Sequence, residues 1–319
     1  MATFDWFFTK AIWTRRLSEF PLYVRIPLRW FRIAVVAVVS FLRDDCQKNS
    51  AVLTYYSLLN IVPVFAVMFG IAKGFGLQAI VEKQIIRLAE NANWQPEVTS
   101  RIIDFSTSLL EHAKGGVIAG VGVALLLWTV VSILGRIEES FNTIWGISRP
   151  RSYIRKFTDY LAIMVFAPVL IVISSSASLI IASQLEVMIK AVSFLHGLGP
   201  LIYSLFRVIP YLSIWLLLTC LYIVLPNGRI PFRSGLLAGG VAGTVYQLIQ
   251  FIYITFQVGV ASYGAIYGSF AALPLFLVWL QLSWTIVLFG AEIAYAHDNY
   301  ESYGFHPDMS TINEGTRKL

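Results

Sequence analysis

Residues 116–146 read GVIAGVGVALLLWTVVSIL followed by GRIEESFNTIWG, and this stretch decides the class of the protein. Its first nineteen residues carry no charge, and a helix of roughly 20 apolar residues crosses the hydrocarbon core of a bilayer. The following twelve contain an arginine, two glutamates and an asparagine. Such groups at membrane depth lie at an interface, in a wet cavity or in pairs. The stretch therefore predicts a membrane helix with a polar end.

The composition of the whole chain agrees with a membrane protein. Of its 319 residues, 57% are hydrophobic and 13% are charged, whereas soluble domains carry about 25% charged residues. Six predominantly apolar runs predict an all-α fold, a polytopic membrane bundle of six transmembrane helices. The six runs are 50–72, 116–134, 160–182, 208–225, 234–256 and 270–296.

Two further regions are expected to be helical without crossing the membrane. The apolar run 33–42 is too short to span at about 1.5 Å per residue, and basic residues precede it. It predicts an N-terminal interfacial helix over 30–42 that lies flat on the membrane. Apolar residues recur at helical spacing within 73–115, which predicts amphipathic helices over the far mouth of the bundle. The expected organisation is a cytoplasmic segment 1–49, a membrane domain 50–296 and a cytoplasmic tail 297–319.

The basic residues predict the orientation of the bundle. With six spans, seventeen Lys and Arg fall on the side of the termini and seven on the opposite side. Because cytoplasmic loops carry the excess of Lys and Arg, both termini are expected in the cytoplasm. The same rule accounts for the net charge of +6, so that no nucleic-acid partner is expected.

The polar end of the second span has two faces on a helical projection. The helix is expected to continue past Arg136, because nothing before Gly146 breaks it. Glu138 and Asn142 are four residues apart and share one face. The neighbouring stripe holds Arg136, Glu139 and Thr143. Two interpretations remain: a solvated turn at the interface, or a helix whose Glu138 and Asn142 face into the bundle and hold polar groups there.

Polar residues in other spans are candidates for lining a cavity. Glu292 lies near the inner end of the last span, where it is a candidate partner for Arg136. Further candidates are Tyr56 and Asn60 in the first span and Gln247, Gln250 and Tyr253 in the fifth. Hydrogen bonding between helices is the alternative role for all of these. Three glycines of the fifth span, Gly235, Gly239 and Gly243, are expected to form a packing seam.

The outer segment 257–269 is uncharged and rich in glycine and tyrosine. Non-helical backbone at membrane depth has to be buried in protein or line water. Tyr263 and Tyr267 are therefore candidates for an outer gate.

Several motifs in this order resemble the YihY/BrkB family of bacterial inner-membrane proteins, formerly described as ribonuclease BN. They comprise Glu138-x-x-x-Asn142-x-Ile144-Trp145, the first span around Ser50, Tyr55, Tyr56 and Pro63, Leu225-Pro226-Asn227, Tyr267-Gly268, and Gly290-Ala291-Glu292. The resemblance covers roughly residues 40–300. It implies a six-span layout with a long first outer loop and a place in the bacterial inner membrane.

The sequence argues against a nuclease or another enzyme. Its carboxylates and histidines are scattered, and it has neither a metal-ligand spacing nor a phosphate-binding glycine motif. No cofactor and no metal are expected. Two classes remain: a transporter or flippase-like conduit for a lipid or other amphiphile, and a non-transporting membrane partner for envelope proteins. Membrane lipids are the expected ligands of the first class; the oligomeric state is left open.

Overall fold

A computed structural model of the chain describes residues 19–76, 78–91, 96–112, 116–148, 151–152, 155–156, 158, 160, 211–212, 214–262 and 272–303. Within these ranges the fold is all-helical, and no β-strand occurs. The helices are α1 Leu22–Arg43, α2 Cys46–Gly74, α3 Gln78–Asn91, α4 Pro96–His112, α5 Gly116–Ile144, α6 Ile214–Val224, α7 Phe232–Ser262 and α8 Ala272–Tyr303.

Three of these helices are long and apolar enough to cross a membrane, over Cys46–Gly74, Phe232–Phe256 and Leu273–Glu301. They match the first, fifth and sixth predicted spans; the first and fifth are extended by a few residues, and the sixth begins and ends a few residues later than predicted. The second predicted span is the first part of α5, which continues to Ile144 as expected and ends where Gly146 adopts a positive φ of 64°. The third span lies outside the described residues apart from Tyr160, and the fourth is described from residue 211 onward.

Helix α8 is the centre of the packing, because α1, α2 and α7 all lie against it. The main apolar core takes residues from α1, α2, α5, α6, α7 and α8. Leu288, Ala291 and Ala294 of α8 are fully buried within it. The last apolar run of the sequence is thus the element on which the first helices assemble.

The N-terminal helix is longer than its apolar run predicts. α1 has 22 residues, begins directly after Pro21 and contains Pro27. One face, built from Ile33, Val36, Ala37 and Ser40, is buried, as the spacing of an amphipathic helix requires. The prediction of a helix over 30–42 was therefore wrong about its start: the basic residues before position 33 belong to the helix.

The outer helices predicted within 73–115 are present as α3 and α4. Ile85 of α3 and Ile103 of α4 pack against Phe69 and Ala72 at the end of α2. Ile102 is also buried, whereas Phe105 of the same helix is 62% exposed. The packed face of α4 therefore includes Ile102 and Ile103 and leaves Phe105 outside.

The glycine seam joins α7 to α6. A Cβ atom on Gly239 would lie 2.1 Å from Oγ1 of Thr219 and 2.7 Å from the carbonyl oxygen of Trp215. Gly235 and Gly243 approach α6 in the same way, at Ile223 and Trp215. The prediction of a packing seam is confirmed.

Candidate functional site

The inward face of α5 carries a buried carboxylate. Glu138 is completely buried. The Tyr160 hydroxyl donates to its Oε2, Nδ2 of Asn142 lies 3.3 Å from its Oε1, and Nζ of Lys156 lies 3.7 Å from the same oxygen. Donors that converge on an acid in this way suit an ionised carboxylate, which accepts hydrogen bonds and donates none. The burial of Glu138 and Asn142 supports the inward-facing interpretation of this stretch.

Asn142 extends this network to the connection between α6 and α7. Its Oδ1 accepts a hydrogen bond of 2.8 Å from the backbone N–H of Asn227. Arg151 reaches the same connection, with Nη2 3.0 Å from the carbonyl oxygen of Val224 and Nε 3.4 Å from Oδ1 of Asn227. Glu138 and Asn142 therefore hold segments that are distant in sequence against the end of α5.

The other face of α5 borders a cavity of about 570 Å³. Arg136 and Glu139 form an ion pair there, with Nη1 and Oε2 3.2 Å apart and side chains that are 52% and 66% exposed. The guanidinium of Arg136 also lies over the ring of Tyr56, 5.5 Å from its centre. The lining residues are Ser132, Gly135, Arg136, Glu139, Asn142, Thr143, Ile147, Ser148 and Lys156.

Glu292 lies apart from this cavity. It is completely buried, and the thiol of Cys46 at the start of α2 donates to its Oε1 over 3.3 Å. The expected pair between Glu292 and Arg136 was wrong, because Arg136 uses Glu139 and Tyr56 instead. Arg136 and Asn142 thus share the cavity lining, Asn142 also contacts Glu138, and Glu292 lies at the contact of α8 with α2.

The remaining candidates in the first and fifth spans make contacts within the bundle. Nδ2 of Asn60 donates to the carbonyl oxygen of Tyr56 over 2.6 Å. Gln247 donates to the carbonyl oxygen of Tyr211 over 3.3 Å, and the Tyr253 hydroxyl donates to that of Leu275 over 2.8 Å.

These contacts are the helix-to-helix and local bonds that polar groups form in apolar surroundings. Gln250 is half-buried on the same helix, α7. Tyr263 and Tyr267 lie outside the described residues.

A polar seam between α2 and α8 was not predicted from the sequence. Nε2 of Gln281 donates to Ser50 over 2.8 Å, and the Thr54 hydroxyl donates to Oε1 of Gln281 over 3.0 Å. Thr285 adds a contact of 3.2 Å to Ser50. The available signal was the four-residue spacing of Ser50 and Thr54 on α2 and of Gln281 and Thr285 on α8.

Two arginines of α1, Arg29 and Arg32, lie against other parts of the protein. Nη2 of Arg29 lies 2.7 Å from Nε2 of His297, whose Nδ1 lies 2.9 Å from the Ser234 hydroxyl. Arg29 also stacks over the ring of Tyr300, and Arg32 is 2% exposed. Arg29 and Arg32 are therefore engaged by other parts of the protein.

Among the residues that the structure describes, no group of three or more His, Cys, Asp or Glu side chains is placed to hold a metal ion. The polar groups of the candidate site are instead ion pairs, amides and hydroxyls. Such groups bind and orient a polar ligand.

Long apolar helices, buried polar ties and a polar cavity beside α5 define a helical membrane protein. The chain belongs to the BrkB family, because it matches the family described as Virulence factor BrkB over residues 37–311. The resemblance drawn from its motifs is confirmed.

Two relatives of this chain are described as UPF0761 membrane proteins. The UPF0761 membrane protein of Alcanivorax borkumensis is 31% identical over 82% of this chain and 59% of its own length. That of Azotobacter vinelandii is 33% identical over 79% of this chain and 60% of its own length. This chain thus spans about three fifths of the length of these relatives. No solved structure matches it significantly.

Proposed function

We propose that this protein is a six-span conduit of the bacterial inner membrane, with both termini in the cytoplasm, that moves a lipid or other amphiphile without catalysing a reaction. The observation that carries the proposal is the cavity of about 570 Å³ beside α5. Ligand sites commonly have volumes of roughly 300–1,000 Å³ and a few convergent polar groups. Arg136, Glu139 and Lys156 supply those groups here.

The position of the cavity along α5 suits the headgroup of a lipid. Arg136 precedes the end of α5 at Ile144 by eight residues, which is roughly 12 Å along the helix axis at 1.5 Å per residue. In the proposed orientation this end faces the cytoplasm. The ion pair then lies at the level of the inner leaflet, where a headgroup can enter from the side while its acyl chains stay in lipid.

A second candidate function is supported by the outer helices. A cavity of about 250 Å³ between α3 and α4 is lined by apolar residues that include Ile86 and Ile103 and by the acidic residues Glu82, Glu90 and Asp104. A non-transporting partner of envelope proteins would use this surface, since exposed apolar groups beside polar ones mark interaction sites.

The topology is tested by labelling engineered cysteines from each side of the membrane. Glu90→Cys and Ser152→Cys are placed separately in a Cys220→Ser background, because the native Cys220 is exposed. We expect residue 90 to react with an impermeant reagent only from the periplasmic side and residue 152 only from the cytoplasmic side. Labelling of residue 90 from the cytoplasm would overturn the orientation.

Transport is tested with the full chain reconstituted in liposomes that carry a fluorescent phospholipid in one leaflet. We expect the parent to equilibrate the label between leaflets, Arg136→Ala to slow this strongly, and Gln250→Leu to slow it less. Lys48→Ala is the matched control, because Lys48 forms an exposed ion pair with Asp45 away from the cavity. A parent that leaves the label in its leaflet, with and without a proton gradient, would favour the docking function.

A further inference from the structure

One exposed stripe of α5 changes from apolar to charged along its length. Leu125 and Trp128 are 61% and 67% exposed. Ser132 follows one turn later, and Arg136 and Glu139 then continue the same face to the cavity. From Leu125 to Glu139 the stripe covers roughly 21 Å at 1.5 Å per residue. Its order, apolar toward the membrane centre and charged toward the end of the helix, is the order of acyl chain and headgroup in one phospholipid.

Both signs of charge occur beside the cavity among the residues that the structure describes. Arg136 and Lys156 contribute two positive charges, Glu139 contributes one negative charge on the lining, and the buried Glu138 contributes another behind Lys156. Arg136 and Glu139 place a cation and an anion side by side on the lining. This arrangement is complementary to a ligand that carries both signs of charge.

The ion pair on the lining is able to exchange partners. Arg136 and Glu139 are both more than half exposed, and exposed ion pairs contribute little to stability. A phosphate can take the place of the Glu139 carboxylate at Arg136, while an ammonium group takes the place of Arg136 at Glu139. The ring of Tyr56 keeps the guanidinium at the cavity during this exchange.

From these observations we infer that the cavity binds a zwitterionic aminophospholipid, with its phosphate at Arg136, its primary ammonium at Glu139 and an acyl chain along Leu125 and Trp128. The inference rests on the proposed function and names its substrate class. An anionic glycerol lipid bound in the same way would offer Glu139 only neutral hydroxyl groups in place of the ammonium. A choline lipid carries a quaternary ammonium, which has no N–H group to donate to the carboxylate.

The test measures binding of short-chain lipids to the full chain in detergent by native mass spectrometry. We expect the parent to bind phosphatidylethanolamine roughly tenfold more tightly than phosphatidylglycerol or phosphatidylcholine, the effect of one charge-assisted hydrogen bond. Glu139→Gln should lose this preference and keep its affinity for phosphatidylglycerol. Arg136→Ala should weaken binding of all three. Soluble glycerophosphoethanolamine should bind at least tenfold more weakly than the lipid, because it lacks the chain that lies along Trp128.

Matched controls come from the exposed pair Asp45 and Lys48, which has the same (i, i+3) spacing on another helix. Asp45→Asn and Lys48→Ala should leave the headgroup preference unchanged. Equal affinity of the parent for the three lipids, or a preference that survives Glu139→Gln, would overturn the inference. Lipid movement in liposomes without headgroup preference would overturn it and leave the conduit standing, whereas a parent that neither binds nor moves any lipid would overturn both.

Discussion

Glu138 and Glu139 are neighbours in sequence with opposite surroundings. Glu138 is completely buried and receives hydrogen bonds from two other side chains, with an ammonium group nearby. Glu139 is 66% exposed and has Arg136, one turn away on its own helix, as its partner. The first joins separate chain segments, and the second faces a space that a ligand can enter.

A similar contrast occurs on α7, at Gly239 and Gly240. Gly239 lies against the backbone of α6, whereas a Cβ atom on Gly240 would meet nothing within 4 Å. In both helices a rotation of about 100° per residue separates a tightly packed face from an open one. A polar or small residue therefore has to be interpreted by its face as well as by its depth in the membrane.

The largest expected effect is at the buried glutamate. Glu138→Ala removes the carboxylate that pairs with Lys156 and accepts from Tyr160. Breaking a buried ion pair by removing one partner costs about 3–5 kcal/mol. We expect the free energy of unfolding of the protein in mixed micelles to fall by this amount. Glu138→Gln keeps an acceptor, so its free energy of unfolding should lie between those of the parent and the alanine variant. A loss below about 1 kcal/mol for Glu138→Ala would contradict the role of this residue as a tie.

A smaller effect is expected on the glycine seam. Gly239→Ala places a methyl group against Thr219 and Trp215, and overpacking of this kind costs about 1–3 kcal/mol. Gly240→Ala is the matched control, since it has room and gains helix propensity of up to about 1 kcal/mol. Measured under the same conditions, the changes in the free energy of unfolding of the two variants, each relative to the parent, should have opposite signs. Equal stabilities would show that α6 moves aside at no cost.

The smallest effect on stability is expected at the exposed glutamate. Glu139→Gln breaks an ion pair whose partners are both largely exposed, and such pairs contribute about 0–1 kcal/mol. The free energy of unfolding should therefore stay within about 1 kcal/mol of the parent, and the small difference should shrink at high salt. A loss as large as that of Glu138→Ala would show that the two faces of α5 do not differ as described.

Helical periodicity predicted the division of α5 into two faces, because the spacing of Glu138 and Asn142 is local information. Periodicity could not predict the partners of Glu138. Lys156 and Tyr160 follow a break in the chain direction, and Asn227 is 85 positions from Asn142. Which distant segment meets a given helix face depends on how the bundle assembles, and periodicity within one helix carries no information about this.

The start of α1 was mispredicted for a different reason. Hydrophobicity marks the part of a helix that is apolar throughout, whereas α1 continues through Pro27 with arginines on its packed side. Arg29 and Arg32 are accommodated because His297, Tyr300 and Glu301 lie opposite them on α8. A basic residue near a membrane helix thus marks contact with the membrane surface only when no other helix packs against that residue.

The packing of α1 on α8 also has a consequence for the order of events during synthesis. Roughly 230 residues separate the end of α1 from the start of α8, which takes on the order of ten to fifty seconds at about 5–20 residues per second. Throughout this interval α1, with its face of Ile33, Val36 and Ala37, has been synthesised, whereas α8, against which this face packs, has not. An amphipathic helix in this situation is stable at the surface of a bilayer. We therefore expect the membrane surface to serve the newborn α1 as a temporary partner until α8 has been made and replaces it.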